Sequence, residues 1–213
     1  MAGKKRSGLV NDRRAYGCGC YTPTPTPNPN PCGVINIGSI ATYDGVQTYT
    51  LNGNYTISEC QILNIPVGTT LQISGGKTLT NKGIIDVSGT FNNSVFNYIY
   101  NEAGSGTINN SGTLNNSGSI YNTRGGGTIN NSGTIKNSGQ IYNENVVATI
   151  INNSGGFIYT YGGGALSNGV GTINNNSGGT ISTSNGGACG AGSFVSGTFN
   201  NSGTTNTDCP PIL

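Results

Sequence analysis

Few side chains in this 213-residue chain are equipped for covalent chemistry. It has no histidine, so it has no imidazole base, no Ser/His or Cys/His pair and no His-containing metal site. Seven carboxylates remain. Glu102 and Glu144 stand 42 positions apart with Arg124 between them, and a charged face of this kind is what a glycosidase-like or lyase-like site would need. One Arg between two Glu is more simply a surface ion-pair ladder, so no catalytic residue and no cofactor is expected. Six cysteines, Cys18, Cys20, Cys32, Cys60, Cys189 and Cys209, make no paired CxxC zinc pattern. Cys18-Gly19-Cys20 with Cys32 would suffice for a three-thiolate site. Disulfides within this segment, or between the segments of neighbouring copies, are the favoured reading. Cys189 and Cys209 lie 20 apart and are either a staple or buried thiols, and Cys60 reads as a simple buried thiol. Any disulfide implies an oxidising site of assembly or residence.

The residues best placed to bind something are aromatic. Tyr100, Tyr121 and Tyr142 recur at intervals of 21, which stacks them in a column if 21 residues make one structural repeat. Such a column can bind sugar rings, or it can stack on itself or bury against a neighbouring subunit; self-stacking and burial are favoured. A second candidate is basic. Residues 1–17 hold Lys4, Lys5, Arg6, Arg13 and Arg14 against Asp12, a balance of +4, so the other 196 residues carry −2 of the overall +2. Five bases without interleaved aromatics make a poor nucleic-acid patch, and nucleic acid is not the expected partner. A docking peptide fits better.

Positioning these groups requires elements that the composition constrains tightly. Charged residues are 8 % of the chain, against about 25 % in ordinary domains, whereas there are 37 glycines and 32 asparagines. Glycine does not recur every third residue, which excludes collagen, and it interrupts every window too often for helices. No apolar run near the start matches a secretory signal, and none later reaches the 18 or so residues of a membrane span. The chain instead repeats itself. Thr-Ile-Asn-Asn-Ser-Gly occurs at 107–112 and 128–133, with variants at 113–118 and 134–139. Two hexads and a nine-residue segment such as 119–127 make a unit of 21, on which Ile99, Ile120 and Ile141, Ile108, Ile129 and Ile150, and Leu114 with Ile135 recur; Ile173 follows after 23.

That arithmetic predicts an all-β fold, a single-chain parallel β-solenoid of about six coils. In Thr-Ile-Asn the period of two puts Ile inside, and Asn-Ser-Gly turns the chain with a glycine free to take positive φ. Three such sides close one coil. Equivalent Ile side chains then stack as a core, Asn109 and Asn110 stack on Asn130 and Asn131, and Thr107, Thr128 and Thr149 form a ladder, a feature that makes ice binding a minor alternative. The segments are an anchoring arm at 1–21, an extended proline-rich linker at 22–33, cap strands at 34–62, the solenoid at 63–205 and a tail at 206–213. The linker, Thr-Pro-Thr-Pro-Thr-Pro-Asn-Pro-Asn-Pro-Cys-Gly, favours stiff polyproline II.

The run from Ile65 to Gly83, with Thr-Ile-Asn-Asn-Ser-Gly-Thr-Leu-Asn-Asn-Ser-Gly at 107–118, resembles the right-handed, pectate-lyase-like parallel β-helix repeats of adhesin-like surface proteins. Similar Asn/Gly/Thr-rich solenoids occur in tail or capsid-associated proteins of viruses. The resemblance covers about residues 50–205. It implies a right-handed coil, whereas hexads alone also suit a left-handed one. It also implies a non-enzymatic structural protein of a virus particle, its arm docked to other particle proteins and its β-helix projecting at the virion surface. Self-association or a surface glycan would be further partners. The alternative is a cell-surface adhesin, which would normally need an export signal.

Overall fold

A run such as Thr-Ile-Asn-Asn buries two side chains when it is extended, because successive side chains point to opposite sides. The computed structural model describes residues 32–102, 106–123, 125–184 and 197–207, and there the hexads form short strands that repeat around three faces. The first face has eight strands, from Gly33–Ile35 and Gln61–Ile65 through Ile84–Val87, Thr107–Asn110, Thr128–Asn131, Thr149–Asn152 and Thr172–Asn175 to Thr198–Asn201. The second has nine, from Ala41–Tyr43 and Thr48–Leu51 to Thr204–Thr207. The third has six: Tyr55–Ile57, Thr78–Asn81, Tyr98–Asn101, Ser119–Tyr121, Gln140–Tyr142 and Ala165–Ser167. Ala41–Tyr43 with Thr48–Leu51 is the one antiparallel pair among the described strands. The fold is a parallel β-solenoid of about six turns.

Register follows the repeat. Ile108, Ile129 and Ile150 are successive partners at 21 residues, whereas Ile85 to Ile108 and Ile150 to Ile173 take 23 and Ile173 to Phe199 takes 26. The unit of 21 therefore holds for the middle of the stack, and the average coil is about 23 because the turns, not the strands, change length. Ile99, Ile108, Leu114, Ile120, Ile129, Ile135, Ile141, Ile150 and Ile173 are all buried in one continuous core. Turn backbone joins the ladder too: the Ser132 and Gly133 N–H groups donate to the Asn110 carbonyl at 2.8 and 2.9 Å, and Thr134 to Gly112 at 2.9 Å.

Two features differ from the reading of the repeat. The hexad glycines at 112, 118, 133 and 139 are not among the residues of positive φ. They are needed for space: a Cβ on Gly133 would collide with the Gly112 carbonyl of the coil below, and one on Gly139 with that of Gly118. The second difference is inside. The last asparagine of each hexad points into the core, and three buried amide ladders line the three corners. On the first face Asn110, Asn131, Asn152, Asn175 and Asn201 are linked Nδ2 to Oδ1 at 2.7–2.8 Å. Asn93, Asn116 and Asn137 do the same on the second, and Asn81, Asn101, Asn122, Asn143 and Asn168 on the third. The other N–H of each buried amide in the ladders reaches a strand-opening carbonyl one corner on and one coil up, as from Asn101 to Thr128 at 3.0 Å.

The region 34–62 belongs to the same stack, since Thr48–Leu51, Tyr55–Ile57 and Gln61–Ile65 pair in parallel with the strands above them. A boundary at 63 thus cuts a continuous sheet. What closes the end is the helix Ile37–Ile40, whose N-cap Asn36 accepts the Gly38 N–H at 3.0 Å and whose Ile40 joins the core. Cys60 is not a buried thiol. It is exposed and forms a disulfide with Cys32, Cα to Cα 4.8 Å, tying the turn that opens the first strand to the turn one coil above. A separation of 28 hides the pairing from any count based on 21, because the cap adds residues to that coil.

Candidate functional site

The third face is the most distinctive surface. Its strands alternate, so Ile99, Ile120 and Ile141 go in and Tyr100, Tyr121 and Tyr142 come out, one above another by direct register. Tyr100 and Tyr121 have ring centroids 5.0 Å apart with planes 15° apart, and Tyr121 and Tyr142 4.9 Å and 14°. Tyr98, on the same strand as Tyr100, stacks on Tyr100 and Tyr121 at 6.3 Å. The column is thus self-stacked. Each ring covers much of the next ring's face. Burial raises the Tyr142 phenol above its ordinary value, with Tyr121 and Glu144 adding to the shift. The remaining outward residues of this face are Thr, Ser, Gln and Ala, and none of those described is charged.

Apolar corners flank the column. On one side the turn into the Tyr98–Asn101 strand carries Val95 and Phe96, 55 % and 80 % exposed, where the coils above have Ser117-Gly118 and Ser138-Gly139. Phe96 has φ 63°, which for a residue with a Cβ costs about 1–2 kcal/mol. On the other side Val146, Val147 and Val170 are exposed in successive turns that lead to the first face. Sequence periodicity finds the tyrosines but not these valines and Phe96, because they sit in turns that break the repeat. A second aromatic group, Phe157, Tyr159 and Tyr161, stacks along one strand of the second face at 5.9 and 5.1 Å. Its signal was the alternation Phe-Ile-Tyr-Thr-Tyr.

The other candidate groups are dispersed. Glu102 and Glu144 occupy the same corner two coils apart, on the order of 10 Å along the axis; Arg124 lies outside the described residues. On the first face Thr107, Thr128, Thr149, Thr172 and Thr198 form one ladder, and beside it a shallow polar groove of about 430 Å³ is lined by Asn64, Asp86, Asn109 and Asn130 with three serines. Asn109 donates to Asp86 at 2.8 Å and Asn130 to Asn109 at 2.9 Å. Among the described residues no three His, Cys, Asp or Glu side chains gather as metal ligands, and no helix is long and apolar enough to cross a membrane. The arm residues Lys4, Lys5, Arg6, Arg13 and Arg14, with Cys18, Cys20, Cys189 and Cys209, lie outside the described residues.

No protein-family model matches the chain, and no curated protein matches it. Among solved structures, a hyper-glycosylated fragment of TibA, modified by TibC, aligns over 76 % of this chain and 75 % of that one, at 19 % identity and a TM-score of 0.17, a superposition too loose to transfer any feature.

Proposed function

We propose that the protein is a non-catalytic structural module of a larger particle, in the first instance a virus particle. The N-terminal arm attaches it, and the solenoid is a rigid body whose tyrosine face is a contact surface. The observation that carries this reading is that face: an uncharged aromatic column between two exposed apolar corners, on a molecule whose other outward positions are mainly Thr and Asn. Apolar surface of this kind on a soluble fold marks an interaction site. Mass spectrometry of purified particles should find the protein, and Tyr121→Ala with Tyr142→Ala should lower its incorporation while β-sheet circular dichroism is retained. Recovery only in a cell-envelope fraction would sink the virion reading.

An adhesin that binds surface glycans is the second reading, favoured by the regular row of tyrosines on a face whose other outward residues are small and polar. The ring faces that sugars usually stack on are largely taken by neighbouring tyrosines, so recognition would run through hydrogen bonds to ring edges. Binding on a glycan array that is lost in the same double variant would select this reading.

A further inference from the structure

We propose that the tyrosine face seats the chain's own proline tract, with residues 22–31 lying along the column as a polyproline II strand. The inference builds on the contact-face reading above and names the occupant. Its first support is where the chain enters the fold. Cys32 is bonded to Cys60, which sits in the turn joining Tyr55–Ile57 of the third face to Gln61–Ile65 of the first. The tract ends at Pro31, so it begins at the edge of the tyrosine face, one coil below that face's first strand.

Length is the second support. Ten residues of polyproline II span about 31 Å. From the level of Cys32, the strand Tyr98–Asn101 is three coil spacings up and Gln140–Tyr142 five, or about 14 and 24 Å. The tract therefore covers the whole column, with Thr24-Pro25-Thr26-Pro27 opposite the tyrosines.

The third support is chemical fit. Polyproline II makes no internal hydrogen bonds, so its carbonyls can accept from the phenols of Tyr121 and Tyr142, and its pyrrolidine rings pack against the tyrosines and against Phe96, Val146 and Val147. The tract is uncharged and so are the outward positions of the face's strands, with Glu102 and Glu144 in the corner beside the column. Little ordering entropy is lost because an alternating proline sequence already favours that conformation, and a tether this short holds it at millimolar effective concentration.

The test uses the full, oxidised chain with the photocrosslinker p-benzoylphenylalanine replacing Gln140, and mass spectrometry to map the product. Expected is an intrachain crosslink to residues 22–31 in material of monomer mass. It should fall at least fivefold when Pro23, Pro25 and Pro27 are all changed to Ala, while circular dichroism is unchanged. In that triple variant, nitration of Tyr121 and Tyr142 by tetranitromethane should be at least threefold faster. Crosslinks to other segments, crosslinks between chains only, or nitration rates equal in the two proteins would overturn the proposal. Loss of particle incorporation in the Tyr121/Tyr142 variant without a tract crosslink would defeat this inference and leave the contact-face reading standing; the crosslink with normal incorporation would do the reverse.

Discussion

An asparagine amide carries two N–H donors and one carbonyl acceptor, and inside a coil it has no water to satisfy them. The ladders solve this by repetition: each amide is used by the one below, the one above and a backbone carbonyl. Where repetition stops, partners run out. The Asn110 and Asn93 oxygens are unpartnered because Val87 and Ile73 precede them in register, and the Thr160 hydroxyl that follows Asn137 is unpartnered as well. Asn131→Ala orphans the Asn110 donor, the Asn152 oxygen and the Phe157 carbonyl, which at about 1–3 kcal/mol per buried group should cost 3 kcal/mol or more by denaturant titration. Asn130→Ala, on the outside of the same strand, should cost under about 1 kcal/mol. The hexad shows two adjacent asparagines and their stacking, but Asn-Ser-Gly suggests a turn for the second, whereas the period of two that places Ile inside also places this Asn there. Tyr142 makes a pH prediction at the same scale. Its phenol is raised, so its share of stability is complete below the ordinary tyrosine value of about 10 and is lost as pH rises from there through the raised folded value. Melting temperature between pH 8 and 11 should fall less in Tyr142→Phe than in the parent; an equal fall would show that burial of this ring does not bear on its ionisation.

Strands and turns in this molecule trade places as the specifying elements. The strands are nearly interchangeable, as the register of Thr-Ile-Asn-Asn on Thr-Ile-Asn-Asn shows, and that monotony is why the sheets were legible in the sequence. The turns were less legible, since a glycine after serine looks the same whether it serves positive φ or close approach. Gly133 serves close approach, and Gly133→Ala should destabilise by about 1–3 kcal/mol through overpacking against the Gly112 carbonyl. Gly53, with open space around it and no positive φ, is the control: Gly53→Ala should be neutral or gain up to about 1 kcal/mol by restricting the unfolded chain. Thermal melts of the two variants decide between space and backbone freedom as the reason for the hexad glycine. In the cap, the turn between Ala41–Tyr43 and Thr48–Leu51 is held by Asp44, whose carboxylate accepts N–H groups of Thr48 and Val46 at 2.9 Å and Gln47 at 3.1 Å. Those bonds, that from Thr48 foremost, lower its pKa. A lowered carboxyl stabilises above the ordinary carboxylate range and ceases to as pH falls through its folded value. The melting-temperature gap between the parent and Asp44→Ala should therefore be present at pH 7 and shrink toward pH 2.

At the scale of the whole molecule, stability is a sum over neighbouring coils, so a coil removed in register should leave the rest intact. The fold was readable because of this: a 21-residue step recurring at Ile99, Ile108 and Leu114 predicts a stack wherever it is sampled. The Cys32–Cys60 bond and the apolar corners were not readable, because each occurs once and departs from the repeat. Deleting residues 107–127 removes 21 residues and brings Thr128 into the place of Thr107 on Ile84, with Ile129 on Ile85, Asn131 on Val87 and every later strand on its old face. The shortened chain should keep its β-sheet circular dichroism, one cooperative melt and resistance to protease. Deleting 107–126 instead leaves one residue too many. That residue must be absorbed as a bulge in the turn, or it moves the strand by one position and turns Ile129 and Asn131 outwards, Thr128 and Asn130 inwards. Because Asn131 supports the amides of Asn110 and Asn152 and cannot do so from outside, the second deletion should lower the melting point well below that of the first although it removes less protein. Equal melting points would mean that the turns take up the slip and that the buried ladders do not set the register of this solenoid.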